Sequence, residues 1–310
     1  MFVHSRFLLG IIALVSFILF ISWRFTSNPS DDQLLSNWYP KNLKNQLCRR
    51  NTSLLIEQMR KTQRQLSSHI QKEFTSLDKR FKVMNPLFET AMSGFRYILQ
   101  PFELTNNDET KYFLDLLNPQ DTCNYVTLGV GLDWEAEKKM QKKYPQCQFL
   151  GADPVETNRK IVEATANSRF VLAAVSDTAG NKSAWTADNN YVNQLLSHRS
   201  LVEFLSTENK GNLIDYMTID IEGPEFLLLK ELHAKRAELP IICQLNVEIH
   251  YGLGGHNFHW DTVYDTLTSI FEESHYILLQ TFVRQINDVT LGREFFLNVG
   301  DQKCVQKYIC

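Results

Sequence analysis

The stretch Tyr125–Gly131, YVTLGVG, is a short apolar run ending in two glycines one residue apart. Read as the first strand of a parallel sheet, it brings Gly129 and Gly131 to a sharp turn where a nucleotide-like ligand can approach bare backbone. A pair of glycines alone is weak evidence, and the sequel strengthens it. A charged helical stretch, Trp134 to Lys143, leads into a second apolar run, CQFLGA, and at once to Asp153. The interval from glycine to acid is about that at which a βαβ unit sets a carboxylate beside a ribose diol. The plainer alternative is a βαβ unit whose glycines only turn the chain and whose Asp153 caps the next helix.

Outward from this unit, strand-like and helix-like stretches alternate. Strands are predicted at Tyr125–Leu128, Gln148–Ala152, Arg169–Val175, Tyr216–Ile221 and Ile241–Ile249. A closing antiparallel pair is predicted at Tyr276–Val283 and Glu294–Val299. Helices are expected over Leu132–Lys143, Val155–Ala166 and Trp260–Ser274, and from Pro224 onward, where proline suits a first helical turn. Ser176–Tyr191 reads as a polar loop before a helix through Leu205. About seven strands with helices between them make the fold class α/β, a mostly parallel sheet covered by helices on both faces.

Upstream, Asp108–Leu117 reads as helical. Leu55, Met59, Leu66, Ile70, Phe74, Leu77, Phe81 and Met84 form one apolar stripe, interrupted by Gln63 and ended by Pro86. The stripe suits a coiled-coil stem joining two copies or a helix folded on the main body. Phe7 to Trp23 carries no charge and lies between Arg6 and Arg24, which suits a short membrane-spanning helix of about 25 Å. The expected organisation is therefore an anchor over 1–24 with a lipid bilayer around residues 7–23, a spacer and helical stem over 25–117, and a catalytic domain over 118–310. Six cysteines and sequons at Asn51 and Asn181 lean toward a lumenal body in the endoplasmic reticulum or Golgi. Cys304 and Cys310 are close enough in sequence to staple the tail, whereas Cys243, in an apolar run, reads as a buried thiol. A net charge of -3 gives no case for nucleic acid.

Two strand ends carry candidate chemistry. TIDIEGPE places Asp220 and Glu222 two apart, on one face if both stay extended, with Glu225 at the start of the following helix. Acids at the carboxyl end of a central strand lie where open α/β sheets bind ligands. QLNVEIHYG repeats the pattern with Gln244, Asn246, Glu248 and His250, a polar face that implies a wet or networked cleft. His250, whose ordinary pKa lies near neutrality, is the general-base candidate, with Glu248 or Asp220 orienting it. His256 and His259 follow a glycine-rich turn, but the spacing fits no metal motif, and no metal is expected.

In order and spacing, YVTLGVG, GADPVETN, VLAAVSDTAG, IDYMTIDIEGPE and CQLNVEIH resemble the FkbM-type methyltransferase domain, particularly a membrane-anchored, nematode-like branch, over about Asn118 to Val299. The resemblance implies a class I methyltransferase fold with seven strands, the last antiparallel, and S-adenosylmethionine as methyl donor to a hydroxyl of a glycan or small molecule. It also implies that Gly129 and Gly131 flank the methionine part, Asp153 holds the ribose, and Ala174, Val175 and Ser176 border the adenine. Asp220 and Glu222 would line the cleft near the transferred methyl. Thr127 and the turn GVGLDWE depart from the usual pattern, which carries an acid before the glycines; Asp133 or Glu135 are the candidates to replace it. Two other readings stay open, a glycosyltransferase using Asp220 and Glu222, and a degenerate domain kept as a binding scaffold.

Overall fold

The computed structural model describes residues 43–73, 77–107, 109–188, 190–251, 275–286 and 289–310. Two long helices, α1 (Leu43–Glu73) and α2 (Leu77–Leu99), are followed by a hairpin, β1 (Phe102–Thr105) and β2 (Thr110–Phe113). The central domain then runs β3 (Asn124–Leu128), α3 (Glu135–Lys143), β4 (Gln148–Asp153), a turn of 3-10 helix at Glu156–Asn158, α4 (Arg159–Glu163), β5 (Ser168–Leu172) and β6 (Ala174–Ser176). It continues with β7 (Gly180–Asp188), β8 (Asn190–Ser200), α5 (Leu201–Glu208), β9 (Leu213–Ile219), α6 (Glu225–Ala234), β10 (Ile241–Tyr251), β11 (Tyr276–Ile286) and β12 (Val289–Asn298).

The main sheet has seven strands in the order β11-β12-β10-β9-β3-β4-β5. The run β10, β9, β3, β4, β5 is parallel, and β12 is antiparallel to both neighbours. This is the sheet expected from the sequence, with its reversed last strand. The chain order reverses beside β3, so the carboxyl ends of β3, β4 and β9 face one crevice, where such sheets bind ligands. Tyr125, Tyr216, Phe113 and Phe149 fill the core below it with rings 5.5–5.9 Å apart.

Several elements differ from expectation for identifiable reasons. The segment expected as a helix over 108–117 contains β2, whose alternating Lys111 and Phe113 are buried; a four-residue strand is too short to show its period against neighbouring aromatics. The expected polar loop and helix over 176–200 is instead a β-arm: β6, β8 and β7 form a second sheet in that order. Half of the arm's described residues are solvent-exposed, so no apolar alternation marks it in the sequence. The third strand ends at Leu172, and Ala173 gives its N–H to the Asp153 carbonyl before the chain switches sheets. Pro86 lies inside α2 instead of ending a helix.

The apolar stripe of α1 and α2 is spent on the chain's own sheet. Met59, Leu66, Phe88, Met92, Phe95 and Leu99 are buried. Gln63, the polar interruption, accepts from the Leu278 N–H at 2.7 Å, and Asn85 both accepts from Val283 N–H (2.9 Å) and donates to its carbonyl (2.8 Å). Arg96 donates to the Leu279 carbonyl. These side chains satisfy the outer backbone of edge strand β11, which would otherwise invite another strand. Of the two arrangements open to the stripe, its described residues take the second, a helix folded on the main body, and are not available to pair with a second copy.

Among the described residues no helix is long and apolar enough to cross a membrane. The anchor expected over 1–24, with the bilayer contact at residues 7–23 and the lumenal placement in the endoplasmic reticulum or Golgi drawn from it, falls outside the described residues, finds no support among them, and is not carried further. His256, His259 and the helix expected over 260–274 also lie outside the described residues. Cys243 is not a free thiol, being bonded to Cys304, and Cys123 is bonded to Cys147. Cys310 is disulfide-bonded too, but Cys304, taken by Cys243, is not its partner.

Candidate active site

The glycine turn and Asp153 do meet. Asp153 Oδ2 accepts from Val130 N–H (2.9 Å) and Gly131 N–H (3.0 Å), and Oδ1 accepts from Val155 N–H (2.7 Å). Its pKa is raised by burial, against the pull of these amides. Three of about four lone-pair directions are thus used inside the turn. The two glycines have different reasons to exist. Gly129, at φ +81°, lies against the neighbouring strand, where a Cβ would fall 1.6 Å from the Asp220 carbonyl oxygen. Gly131, at φ +56°, has nothing within 4 Å of where its Cβ would stand. Bare backbone open to a ligand is therefore found at Gly131.

Ala174, Val175 and Ser176 follow directly on Ala173, whose N–H reaches the Asp153 carbonyl. They form β6, are buried, and pair with His198, Arg199 and Ser200 of β8. The Ser176 hydroxyl is engaged by Lys182 and Asp177. The acid missing from the first strand is supplied by neither Asp133 nor Glu135. Asp133 accepts from Asn107 and Glu135 N–H groups, and Glu135 pairs with Lys138. The acid nearest Thr127 is Glu137: buried on α3, it accepts from the Thr127 hydroxyl at 3.0 Å, and Thr127 accepts from Thr218.

The second group of predicted residues forms one cluster. His250 is buried; its Nδ1 lies 3.0 Å from Glu225, and its Nε2 lies 3.3 Å from Glu222, 3.8 Å from Asp220 and 3.9 Å from Glu248. Burial opposes its charge, but Glu225, Asp220 and Glu222 more than offset this and hold its pKa at about 10. At neutral pH it is an imidazolium and has no lone pair with which to take a proton. The general-base role assigned to it from its ordinary pKa does not suit this setting.

Beside the cluster lies a small, narrow cleft lined by Glu109, Lys111, Tyr112, Asp220, Glu248 and Arg293 among others. Hairpin strand β2 forms one wall because the polar face of β10 holds it there. Asn246 exchanges two hydrogen bonds with the Tyr112 backbone, and Gln244 does the same with Leu114. Gln244 and Asn246 therefore act as substitute strand partners, Asn246 also lining the cleft, while Glu248 and His250 join the charged cluster.

The charges in and around the cleft pair off unevenly. Lys111 lies 2.7 Å from Glu109 and 3.6 Å from Glu137; burial works against its charge, yet these acids raise its pKa. Arg293 binds Glu248 at 2.5 Å, and His250 binds Glu225. Asp220 is left without a comparably close cation. Its side chain is 35% exposed, but its Oδ1 is shut off from solvent and accepts no hydrogen bond. Burial, followed by Glu248, Glu109 and Glu222, pushes its pKa well up despite His250.

Asp220, Glu222 and His250, and again Glu109, Asp220 and Glu248, bring three candidate ligand atoms within 4.8 Å of one another. In both sets the groups already face one another or a cation: His250 faces Glu222 and Asp220, Glu109 pairs with Lys111 and Glu248 with Arg293. Glu109, Lys111, Glu137 and Arg293 were missed from sequence because none sits in a strand-end motif. Their roles depend on elements that meet only on folding.

A parallel sheet with a reversed last strand, a glycine turn facing an acid and an acidic cleft over the carboxyl ends of β9 and β10 define a class I methyltransferase-like α/β protein. The model of the methyltransferase FkbM domain matches residues 87–280, and the chain belongs to that family, whose general role is methyl transfer dependent on S-adenosylmethionine. No curated protein matches the chain. Among solved structures it is similar to TrmK of M. capricolum in complex with S-adenosyl-homocysteine, at 12% identity and TM-score 0.33, covering 58% of this chain and 63% of that one. It is also similar to human methyltransferase-like protein 13 in complex with the same compound, at 10% identity, 60% and 75% coverage and TM-score 0.31. A third similarity is to TrmN from Thermus thermophilus, at 10%, 57% and 44%, and 0.32. The chain thus spans less than two thirds of the first of these, and likenesses this slight carry no argument. The match is to the family as a whole and does not single out an anchored or nematode branch.

Proposed function

We propose that the chain is an O-methyltransferase that uses S-adenosylmethionine and acts on a hydroxyl of a glycan or small molecule, with Asp220 as its base. The supporting observation is the Asp220 carboxylate, which lines the cleft and is partly exposed there, while every nearby cation lies closer to another acid. Its exposed part is where an acceptor hydroxyl would donate. The open side of Gly131 suits the donor compound, so Gly131 and Asp153 form its cradle, with Gly129 letting the turn pass close to the end of β9. When bound, that compound supplies a sulfonium methyl group, whose transfer to oxygen releases one proton.

Asp220 takes that proton, and its raised pKa brings a carboxylate closer to the strength a base needs near neutrality. His250 supplies fixed positive charge beside Asp220 and Glu222, allowing several acids to share a small space. The β2 wall, with Tyr112 and Lys111, limits the room in which an acceptor can turn, and orientation accounts for much of the rate of such a transfer. A second reading, a binding protein on the same fold, draws on the near-saturation of Asp153 by its own turn.

Isothermal titration of the full chain with S-adenosylmethionine separates the two readings, and a radiolabelled methyl assay over a panel of hydroxylated acceptors follows. Asp220→Asn is expected to keep cofactor affinity and lower the transfer rate by about 10²–10⁴-fold. No binding at any practicable concentration sinks the cofactor assignment, and an unchanged rate in Asp220→Asn sinks the base.

A further inference from the structure

Glu225 stands outside the cleft, fully buried at the first position of α6. A carboxylate at a helix start is ordinarily explained by the positive end of the helix, but this one reaches backward. Its Oε1 accepts from Ile221 N–H (2.9 Å) and Gly223 N–H (3.0 Å), its Oε2 accepts from Gly223 N–H (3.1 Å) and His250 N–H (3.4 Å), and Oε1 lies 3.0 Å from His250 Nδ1. The loop it ties down contains Glu222, a non-glycine residue at φ +60°. That left-handed conformation costs about 1–3 kcal/mol and persists only where the surroundings enforce it.

We infer that Glu225 is the positioning residue of the site: by fixing the loop and the His250 ring together, it turns the Nε2–H of His250 toward Glu222 and Asp220. The inference rests on the reading of Asp220 as base and deepens it. The groups facing His250 among the described residues are Glu225 from α6, Asp220 and Glu222 from the end of β9, and Glu248 on its own strand, itself held by Arg293 of β12. Glu225 is the one among them that touches Nδ1, and its own pKa is lowered: burial opposes its charge, but the His250 charge and hydrogen bond prevail. Without Glu225 the ring loses its anchor and its closest counter-charge. The three remaining acids would then face a ring free to turn and to lose its proton.

The test is nitrogen-15 NMR of the histidine side chains in the full chain, with the His250 signal identified by its loss in His250→Gln. In the unsubstituted protein at pH 7.5 both ring nitrogens are expected to be protonated, with a midpoint near 10. In Glu225→Gln the midpoint is expected to fall by about 1–3 units, and Glu225→Asp should recover part of the shift. Methyl transfer by Glu225→Gln should lose kcat while the affinity for S-adenosylmethionine stays within twofold. A neutral His250 at pH 7.5 in the unsubstituted protein overturns the inference even if Glu225→Gln fails to fold. So does a midpoint that Glu225→Gln leaves unmoved. If the NMR result holds but no acceptor is methylated, the O-methyltransferase reading fails and the placement of His250 by Glu225 stands.

Discussion

Two glycines of one turn should respond to alanine in opposite ways. At Gly129 a Cβ would lie 1.6 Å from the Asp220 carbonyl oxygen and 2.6 Å from its carbon. Both atoms are backbone, so relief requires β3 and β9 to part where the Asp220 N–H donates to the Leu128 carbonyl at 2.9 Å. Forcing alanine to φ +81° costs about 1–2 kcal/mol, and exposing or orphaning the buried hydrogen bond adds about 1–3 kcal/mol. Gly129→Ala should therefore lose about 2–5 kcal/mol, with each kcal/mol lowering Tm by about 2–4 °C. Gly131→Ala meets no atom within 4 Å, so it carries only the conformational cost of about 1–2 kcal/mol. Its Cβ would instead occupy the open side assigned to the cofactor, and S-adenosylmethionine affinity should drop while the fold persists. Thermal unfolding of both variants, with titration calorimetry on the folded one, tests the reasoning. Equal losses of Tm at the two positions would refute it.

Three further outcomes follow from the same geometry. His250→Gln should lose stability in a pH-dependent way: because the folded pKa, about 10, lies above the ordinary 6.5, the stabilisation is complete below pH 6.5 and disappears as pH rises through 10. Urea melts across that range should show the gap between the two proteins closing, from at most ~5 kcal/mol; a gap that widens with pH contradicts the assignment. Gln63→Leu leaves the buried Leu278 N–H without its acceptor and should cost about 1–3 kcal/mol, whereas a loss below 0.5 kcal/mol would show that water replaces the amide. Replacing Cys243 and Cys304 together with serine should cost about 2–4 kcal/mol. The loss should exceed that for Cys123 and Cys147, because the cysteines of the first pair are 61 residues apart and those of the second 24; the reverse order in denaturant melts would count against the chain-entropy account.

The central unit was legible in the sequence because its signals are local. An apolar strand, a glycine turn, a charged helix and an acid after the next strand fix a βαβ unit without knowledge of anything distant, and repetition of that pattern predicted the seven-stranded sheet. The acidic strand ends at Asp220, Glu222, Glu248 and His250 could be found for the same reason: polar residues closing apolar strands are conspicuous. The β-arm over 180–200 was hidden because half of its described residues are solvent-exposed, and no hydrophobic period marks such a strand. The hairpin over 102–113 was hidden because its partners, Gln244 and Asn246, lie more than a hundred residues away.

The roles within the site were decided by tertiary structure alone. An isolated histidine has a pKa near neutrality, but Glu225, Asp220 and Glu222, brought against His250 from the turn after β9 and the start of α6, convert it into a fixed cation. The same convergence gives Lys111, Arg293 and His250 to Glu109, Glu248 and Glu225, and leaves Asp220 with the unsatisfied oxygen. Charge balance at a point depends on distances of 3–4 Å between chain segments, and those distances do not exist until the sheet has assembled. The sequence by itself thus determined which residues gather at the sheet's carboxyl edge, and the fold determined which of them is free to act.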